Sequence, residues 1–142
     1  MRIKITSKSG ILPAYETKGS AGMDLRAYLT YPVTIPPGGR LLVPTGIGIQ
    51  LPCGFEAQIR GRSGLAIKYG IGLVNGVGTI DSDYRGEIKV PLINWGENPY
   101  VINNGDRIAQ MVVARYEPVE WDWVDNLEQT ERGDGGFGHT GQ

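Results

Sequence analysis

The chain has 142 residues, a length that fits one domain, and carries a formal net charge of -1 with 20% charged residues. This near balance excludes a global attraction to nucleic acid or to an anionic membrane, so neither is an expected partner. The single cysteine excludes an internal disulfide and a multi-cysteine metal site, and no stretch approaches the ~20 apolar residues of a membrane span, so we expect a soluble, cytoplasmic protein.

Short alternating runs of apolar residues dominate the chain. Phe55, Ala57 and Ile59 alternate with polar residues, which is the period of two expected for a strand. Similar runs cover residues 3–6, 41–43, 47–51, 88–95 and 108–116, with turn sequences at 36–39, 51–54 and 103–106. Glycine, at 22 residues, exceeds its usual share of about 7% and adds to the turns. The pattern predicts an all-β sandwich or barrel, with Cys53 as a small strand residue.

One short helix is predicted over Ser63–Tyr69, because Ser63 can cap its N-terminus and Gly70 stops it. The apolar pattern fades after Trp123, and the glycine-dense residues 132–142 predict a mobile C-terminal arm. Core or interface packing is expected for the three tryptophans, Trp95, Trp121 and Trp123.

Residues 61–66, Gly-Arg-Ser-Gly-Leu-Ala, run from a strand end into the predicted helix. Free backbone N–H groups, the Ser63 hydroxyl and the Arg62 guanidinium converge there, which outlines an anion site. An ordinary helix cap beside a surface arginine explains the same residues.

Residues 75–86, Asn-Gly-Val-Gly-Thr-Ile-Asp-Ser-Asp-Tyr-Arg-Gly, are interpreted as a hairpin whose glycines let a flat ligand lie against bare backbone. The returning side carries an acid, Asp81, and an aromatic ring, Tyr84, and an acid beside a pocket can orient a water. The alternative is a turn in which Asp81 or Asp83 only accepts backbone N–H bonds.

Residues 132–141 place one aromatic ring and one arginine in a glycine-rich background. A ring stacked on a base contributes about 1–3 kcal/mol, and glycine N–H groups can wrap phosphate oxygens. The composition therefore fits a lid over a bound nucleotide, with a plain disordered tail as the alternative.

Two further segments join these three: residues 21–27, Ala-Gly-Met-Asp-Leu-Arg-Ala, and residues 105–111, Gly-Asp-Arg-Ile-Ala-Gln-Met. In order and spacing, the five segments resemble the five motifs of the trimeric dUTPase family. The resemblance implies a jelly-roll-like β-barrel or sandwich with one short helix, assembled as a homotrimer with three shared active sites. It implies a β-barrel domain at residues 1–127 and a flexible arm at 128–142 that closes over the active site of another subunit. The implied reaction is Mg²⁺-assisted hydrolysis of dUTP to dUMP and pyrophosphate, which keeps uracil out of DNA and supplies dUMP for thymidylate synthesis.

The resemblance also assigns the site residues, which would come from three subunits. The phosphates would meet one subunit at Arg62, Ser63 and Gly64, with Gln110 nearby. The nucleoside would bind a neighbour's hairpin through Asn75, Gly78, Thr79, Ile80, Asp81, Tyr84 and Lys89. The third subunit would bring Arg132, Phe137 and Gly138 on its arm.

Individual roles follow from the same resemblance. Asn75 and the backbone around Lys89 would read the uracil edge, and a tight fit would exclude thymine. Tyr84 would pack against the sugar where a ribose 2′-hydroxyl would sit. Asp81, the catalytic residue, would accept the 3′-hydroxyl and orient the water that attacks the α-phosphorus. Mg²⁺ would bridge the three phosphates without a direct protein ligand, while Asp24 would either accept from one of its waters or act structurally across the subunit boundary.

On the implied arm, Phe137 would stack over the uracil, and Arg132 and the backbone near Gly138 would meet the γ-phosphate. One position departs from the commonest family pattern, Gly-Phe-Gly-Ser-Thr-Gly. His139 stands where many members have serine, so a hydroxyl contact is not implied there, and we expect His139 to be solvated.

Two other functions are compatible with this fold. A dCTP deaminase of the same superfamily uses a glutamate further along the chain as proton shuttle. Residues 87–93 have no acid at the position that the deaminase pattern requires, and Gly64 stands where deaminases tend to have a second serine. A trimer that senses dUTP without turnover is the second. The retention of Asp81, Arg62 and Gln110 together disfavours it.

Overall fold

The computed structural model describes residues 1–136, in which ten strands and one short helix form. The elements in chain order are β1 (Lys4–Ser7), β2 (Met23–Arg26), β3 (Val33–Ile35), β4 (Arg40–Gln50), β5 (Phe55–Arg60), α1 (Ser63–Tyr69), β6 (Ile71–Leu73), β7 (Val77–Ile80), β8 (Ile88–Asn94), β9 (Tyr100–Ile102) and β10 (Arg107–Arg115).

The strands of residues 1–136 pair into two four-stranded antiparallel sheets and one two-stranded sheet. Their orders are β1-β4-β8-β6, β2-β10-β5-β7 and β3-β9. Neighbouring strands are far apart in sequence, as when β10 lies between β2 and β5, and the sheets do not close into one barrel. The jelly-roll-like, all-β prediction is therefore confirmed.

The core lies where the two larger sheets face each other. In β8, Ile88, Val90 and Leu92 are buried while Lys89 between them is exposed, which is the alternation expected of a strand with one wet face. Asn94 at its end is fully buried and donates from Nδ2 to the carbonyls of Ile35, at 2.9 Å, and Asn98, at 2.8 Å. These bonds replace the water that a buried amide loses.

Strand β4 contains a bulge that the apolar pattern does not reveal. The predicted runs 41–43 and 47–51 are one strand, interrupted where its register against β8 shifts between Pro44 and Ile47. Inside the bulge, Thr45 Oγ1 donates to the Ile88 carbonyl at 2.6 Å. The break in alternation is a local irregularity and not a strand end.

Several local expectations are corrected by the structure. Helix α1 has the predicted bounds, but its N-cap is Arg62 and no side chain bonds the cap, so Ser63 is the first helical residue. The predicted hairpin over residues 75–86 is wrong, because β7 pairs with β5 and the returning residues 81–87 form a loop that leads to β8 in the other large sheet. Cys53 is exposed in a turn and not in a strand.

The last strand ends at Arg115, and residues 116–136 form no helix or strand. Trp121 and Trp123 are more than 90% exposed, and Trp95 is 65% exposed, so the tryptophans do not belong to the core of this chain. Interface packing stays a prediction, as does the domain boundary at residue 127. Phe137, Gly138 and His139 lie outside the described residues. No helix of residues 1–136 is long and apolar enough to cross a membrane.

Candidate active site

A pocket of about 430 Å³ lies between the end of β7 and the start of β8. Its walls are formed by Leu42, Thr79, Ile80, Asp81, Tyr84, Glu87, Ile88 and Lys89. Five residues predicted to bind the nucleoside therefore line the same pocket: Thr79, Ile80, Asp81, Tyr84 and Lys89. They do so without the hairpin on which they were expected. We call this space the nucleoside pocket.

Two free strand edges border the nucleoside pocket. Strand β7 is the last strand of its sheet, and β6, which covers one edge of β8, reaches only as far as Leu73 opposite Leu92. Within residues 1–136 the backbone around Lys89 therefore has no strand on that side. Exposed edges present unpaired N–H and C=O groups at fixed spacing, which is what hydrogen-bonded reading of a base edge requires.

The loop between β7 and β8 presents Asp81 and Tyr84 to this pocket. The loop is closed by a backbone bond from Tyr84 N–H to the Asp81 carbonyl, at 3.2 Å. The Tyr84 ring lies close over Gly86, where a Cβ atom would overlap the hydroxyl. Within residues 1–136 neither the Asp81 nor the Asp83 side chain makes a hydrogen bond. The alternative, a turn in which one of these side chains only accepts backbone N–H bonds, is therefore wrong.

Glu87 is a pocket residue that the sequence did not suggest. Its carboxylate accepts from Lys8 Nζ at 2.7 Å and from the Gly46 N–H at 2.9 Å. The bond from Lys8 is the largest cause that lowers the pKa of Glu87. A carboxylate held ionised in this way is poorly suited to shuttle protons near neutral pH, which weighs against a deaminase-like role.

A second pocket, of about 250 Å³, lies at the start of α1 and is rich in hydrogen-bond donors. Its walls are formed by Glu16, Ser20, Gly22, Asp24, Arg62, Ser63, Gly64, Arg107 and Gln110. All four residues predicted to bind phosphate are among them. We call this space the phosphate pocket.

Asp24 links two arginines in the phosphate pocket. Its Oδ1 accepts from Arg62 Nε at 3.0 Å, and its Oδ2 accepts from Arg107 Nη1 at 3.1 Å. The Asp24 side chain is only 14% exposed, so these ion pairs are partly shielded from water. Arg62 also donates from Nη1 to the Arg107 carbonyl at 3.3 Å. These bonds fix the direction of the guanidinium, and within residues 1–136 they leave three of its five N–H donors for an anion.

The start of α1 supplies further donors. The first N–H groups of a helix have no intrahelical acceptor, and Ser63 and Gly64 occupy these positions. Gln110 lies beside them, donating from Nε2 to the Gly61 carbonyl at 2.9 Å. A Cβ atom at Gly22 would overlap Gln110 Oε1, so the small residue leaves room for this amide.

Some predicted site residues are not brought to either pocket. Asn75 lies in the turn before β7, with its amide near the buried Gly78, and neither residue is part of a pocket wall. Arg132 donates from Nε to the Gly135 carbonyl at 3.0 Å, in a local turn. The two pockets share no residue. Each chain therefore carries two pockets with separate walls.

Within residues 1–136 no group of three or more His, Cys, Asp or Glu side chains could hold a metal ion. The phosphate pocket instead combines guanidinium, amide and backbone N–H donors, which bind phosphate oxygens. Such a donor set fits a Mg²⁺ ion that arrives on a triphosphate, because Mg²⁺ keeps several waters and takes phosphate oxygens as ligands.

A free strand edge, an acid and a ring beside one pocket, and a second pocket rich in hydrogen-bond donors, are features that suit a nucleotide-binding protein with a jelly-roll-like fold. A family model described as dUTPase matches residues 8–141. The chain belongs to the dUTPase family, as its sequence motifs predicted.

Relatives of known name support this membership. The chain is 57% identical over 142 residues to a deoxyuridine 5′-triphosphate nucleotidohydrolase of Finegoldia magna, covering 99% of both chains. It is 60% identical over 132 residues to the enzyme of that name from Maricaulis maris, covering 92% of this chain and 87% of the relative.

Solved structures share the fold. A mutant dUTPase of Staphylococcus bacteriophage 80alpha, with dUpNHpp, superposes with a TM-score of 0.88 at 23% identity and 99% coverage of both chains. A mutant dUTPase from phage phi11 of S. aureus, described with a structural Mg(II) ion, gives 0.80 at 20% identity, covering 91% of this chain and 100% of that one.

Proposed function

We propose that this chain hydrolyses dUTP to dUMP and pyrophosphate in an active site shared between subunits. The observation that carries the proposal is the pairing of Asp81 and Tyr84 beside two free strand edges, with a separate donor-rich pocket at Arg62. The first arrangement suits a nucleoside and the second a polyphosphate. Its role would be to keep uracil out of DNA and to supply dUMP for thymidylate synthesis. A cytoplasmic location stays a prediction.

Recognition of uracil is assigned to the strand edges. Backbone groups near Lys89, with the Asn75 amide, would bond the uracil edge. Because backbone donors and acceptors cannot exchange places, cytosine would leave buried groups unpaired, and a site of this kind can reject such a base by about 10⁴-fold or more. The walls at Thr79 and Ile80 would leave no room for the thymine methyl, with Gly78 keeping the backbone close.

The sugar and the attacking water are assigned to the loop between β7 and β8. The Tyr84 ring would pack against the deoxyribose and occlude the space of a 2′-hydroxyl. Asp81, whose carboxylate makes no protein hydrogen bond within residues 1–136, would accept the 3′-hydroxyl and orient water for in-line attack on the α-phosphorus. The Asp81 carboxylate would take a proton from the water as the new P–O bond forms, while the bond from the α-phosphorus to the bridging oxygen breaks and pyrophosphate departs from the opposite side.

The triphosphate is assigned to Arg62, Ser63, Gly64 and Gln110 of the phosphate pocket. Bound Mg²⁺ would supply charge neutralisation on the three phosphates. Asp24 keeps two proposed roles, a water-mediated contact with the ion or a structural link. Its bonds to Arg62 and Arg107 lie within one chain, so they support a structural link inside the subunit, and the link across the subunit boundary stays a prediction.

The assembly is proposed as a homotrimer. The two pockets of one chain share no wall residue, which supports a site in which the nucleoside pocket of one chain and the phosphate pocket of another hold the same nucleotide. The arm, residues 128–142, would come from a third subunit and close over the site with Arg132, Phe137 and Gly138. A triphosphate would favour closure more than a monophosphate, because Arg132 would meet the γ-phosphate.

Pyrophosphate release across the dNTP panel, with UTP added and with and without Mg²⁺, tests the proposal. We expect dUTP to be turned over far faster than UTP or any other dNTP, with dependence on Mg²⁺ and no ammonia released from dCTP. Asp81→Asn should bind dUTP but lose about 10²–10⁴-fold in kcat, the usual contribution of a positioned base. Asp83→Asn, in the same loop but outside the pocket wall, is the matched control and should keep full activity. An Asp81→Asn variant with unchanged turnover would discard the catalytic assignment, and ammonia release would favour the deaminase.

A further inference from the structure

Tyr84 reaches the nucleoside pocket from a loop, and its ring is held by one side-chain hydrogen bond. The ring is 44% exposed, and its hydroxyl donates to the backbone carbonyl of Glu87 at 3.0 Å. The ring's direction therefore depends on where the Glu87 backbone lies. A residue that fixes Glu87 also fixes Tyr84.

Glu87 is fixed by two bonds from other parts of the fold. Lys8, which follows β1, donates from Nζ to Oε2 at 2.7 Å, and the N–H of Gly46 in the β4 bulge donates to Oε1 at 2.9 Å. The Glu87 side chain is 18% exposed against 59% for Lys8, so the carboxylate end is the better shielded of the two. Three segments meet at this carboxylate.

The bulge explains why a carboxylate is used here. Between Pro44 and Ile47 the ladder of β4 and β8 shifts its register, so the Gly46 N–H takes the Glu87 side chain as its acceptor. The N–H of Lys8 donates in turn to the Gly46 carbonyl at 2.9 Å. Lys8 thus contacts the bulge through its backbone and Glu87 through its side chain. The ring of bonds is closed within the subunit.

We infer that Glu87, held by Lys8 and Gly46, positions the Tyr84 ring and thereby sets the preference for deoxyribose over ribose. Glu87 is a positioning residue, because it acts through the Tyr84 hydroxyl. The inference rests on the proposed hydrolysis of dUTP. The inference makes Glu87, one residue beyond the segment 75–86, a determinant of sugar specificity.

The measurement is the ratio of kcat/KM for dUTP to kcat/KM for UTP. Glu87→Ala leaves the Gly46 N–H and Lys8 without their acceptor, so the loop relaxes and the ratio falls about tenfold or more, since a small misplacement near a reacting group costs up to about 10²-fold. Most of this fall in the ratio should come from a higher kcat/KM for UTP. Lys4→Met, an exposed lysine on β1 outside the ion pairs of residues 1–136, is the surface control and should leave the ratio unchanged.

A conservative pair of variants separates positioning from simple loss of stability. In Glu87→Gln, the amide oxygen can accept from the Gly46 N–H only if the amide NH₂ group faces the Lys8 ammonium. That orientation places two hydrogen-bond donors against each other. The ratio of kcat/KM for dUTP to kcat/KM for UTP should fall in Glu87→Gln. When Lys8→Met is added, the ratio should recover to within about threefold of that of the unaltered chain, because the contact between the two donors is removed. A merely structural role would make the double variant worse than either single one.

Tyr84→Phe tests the route through the hydroxyl, since it keeps the ring and removes the donor. If Glu87 acts through that bond, Glu87→Ala should change the ratio little further in the Tyr84→Phe background, whereas independent effects would multiply. Multiplying effects, or an unchanged ratio in Glu87→Ala while the unaltered chain hydrolyses dUTP, would overturn this inference alone. Absence of dUTP turnover by the unaltered chain would overturn the proposed function and this inference with it.

Discussion

The ion pair of Lys8 and Glu87 links the stability of the fold to pH. The bond from Lys8 lowers the pKa of Glu87 below its ordinary value of 4.5, and the same bond raises the pKa of Lys8 above 10.5. A lowered acid pKa contributes stability above pH 4.5 that is lost as the pH falls through the folded value. A raised lysine pKa contributes stability below pH 10.5 that is lost as the pH rises through the folded value.

Lys8→Met should therefore cost stability only inside this window. We expect the difference in Tm between the unaltered chain and Lys8→Met to be constant at neutral pH and to shrink below pH 4.5, and again above pH 10.5. Thermal unfolding followed by circular dichroism at one protein concentration measures it, since assembly makes Tm concentration-dependent. Lys4→Met serves as control. A difference that stays constant down to strongly acidic pH would show that the lysine acts by packing and not by charge.

At the scale of residues, the sequence predicts side chains in recognisable motifs and misses those that act on them. Asp81 and Tyr84 were found because an acid and a ring sit in a glycine-rich segment. Glu87 and Lys8 are far apart in sequence and meet only because β1 and β8 both flank β4. No local pattern carries that information. The nearest signal was the break in the alternation of β4 at residues 44–46, which marks the bulge.

Helix α1 depends on the turn that ends it. Gly70 adopts φ +68, and a Cβ atom there would overlap the backbone nitrogen of Gly96. The helix also buries Leu65 and brings Tyr69 within 5.1 Å of the Tyr100 ring. Because α1 begins at Ser63 and Gly64, its placement sets the phosphate pocket.

Gly70→Ala should destabilise the fold more than Gly54→Ala. Both positions have positive φ, which costs an alanine about 1–2 kcal/mol, but at Gly54 a Cβ atom meets nothing within 4 Å. The overlap at Gly70 should add about 1–3 kcal/mol and raise KM for dUTP as α1 shifts. Urea unfolding at fixed protein concentration compares the variants. Equal losses at the two positions would mean that the contact with Gly96 relaxes freely.

The predictability of the elements follows their length and burial. Strands β5, β8 and β10 were found from alternation, and α1 from its stop signal, because each pattern spans at least six residues. Strands β3, β6 and β9 have three residues each, too few to show a period. The hairpin prediction over residues 75–86 failed because the turn residues 81–86 look the same in sequence whether the next strand pairs with β7 or, as here, belongs to the other sheet.

At the scale of the whole molecule, the proposed site is divided among chains. The nucleoside pocket and the phosphate pocket share no residue, and the exposed Arg132 donates to the Gly135 carbonyl within its own turn. The family motifs are continuous segments, so the sequence could identify them. How they combine depends on an interface that no single segment encodes.

Mixing two inactive variants tests this division. One variant is Asp81→Asn, which keeps the arm, and the other ends at Thr130, which keeps Asp81 but lacks residues 131–142. Each alone should be a trimer with turnover reduced at least about tenfold, since loss of a lid that completes the site lowers kcat. A chain lacking only Gln142 is the control for truncation and should stay active.

Co-expression of the two variants should restore activity if one subunit provides Asp81 and another the arm. In a random mixture, about one quarter of the sites would combine an intact Asp81 with an intact arm, and in the isolated mixed trimers about one third, so turnover should recover to about those fractions. Differently tagged chains purified in sequence would isolate the mixed trimers, and native mass would establish their composition. Were Asp81 and the arm to act within the same chain, every site in the mixture would lack one of them. Activity no higher than the average of the two parents would then show that each subunit closes its own site.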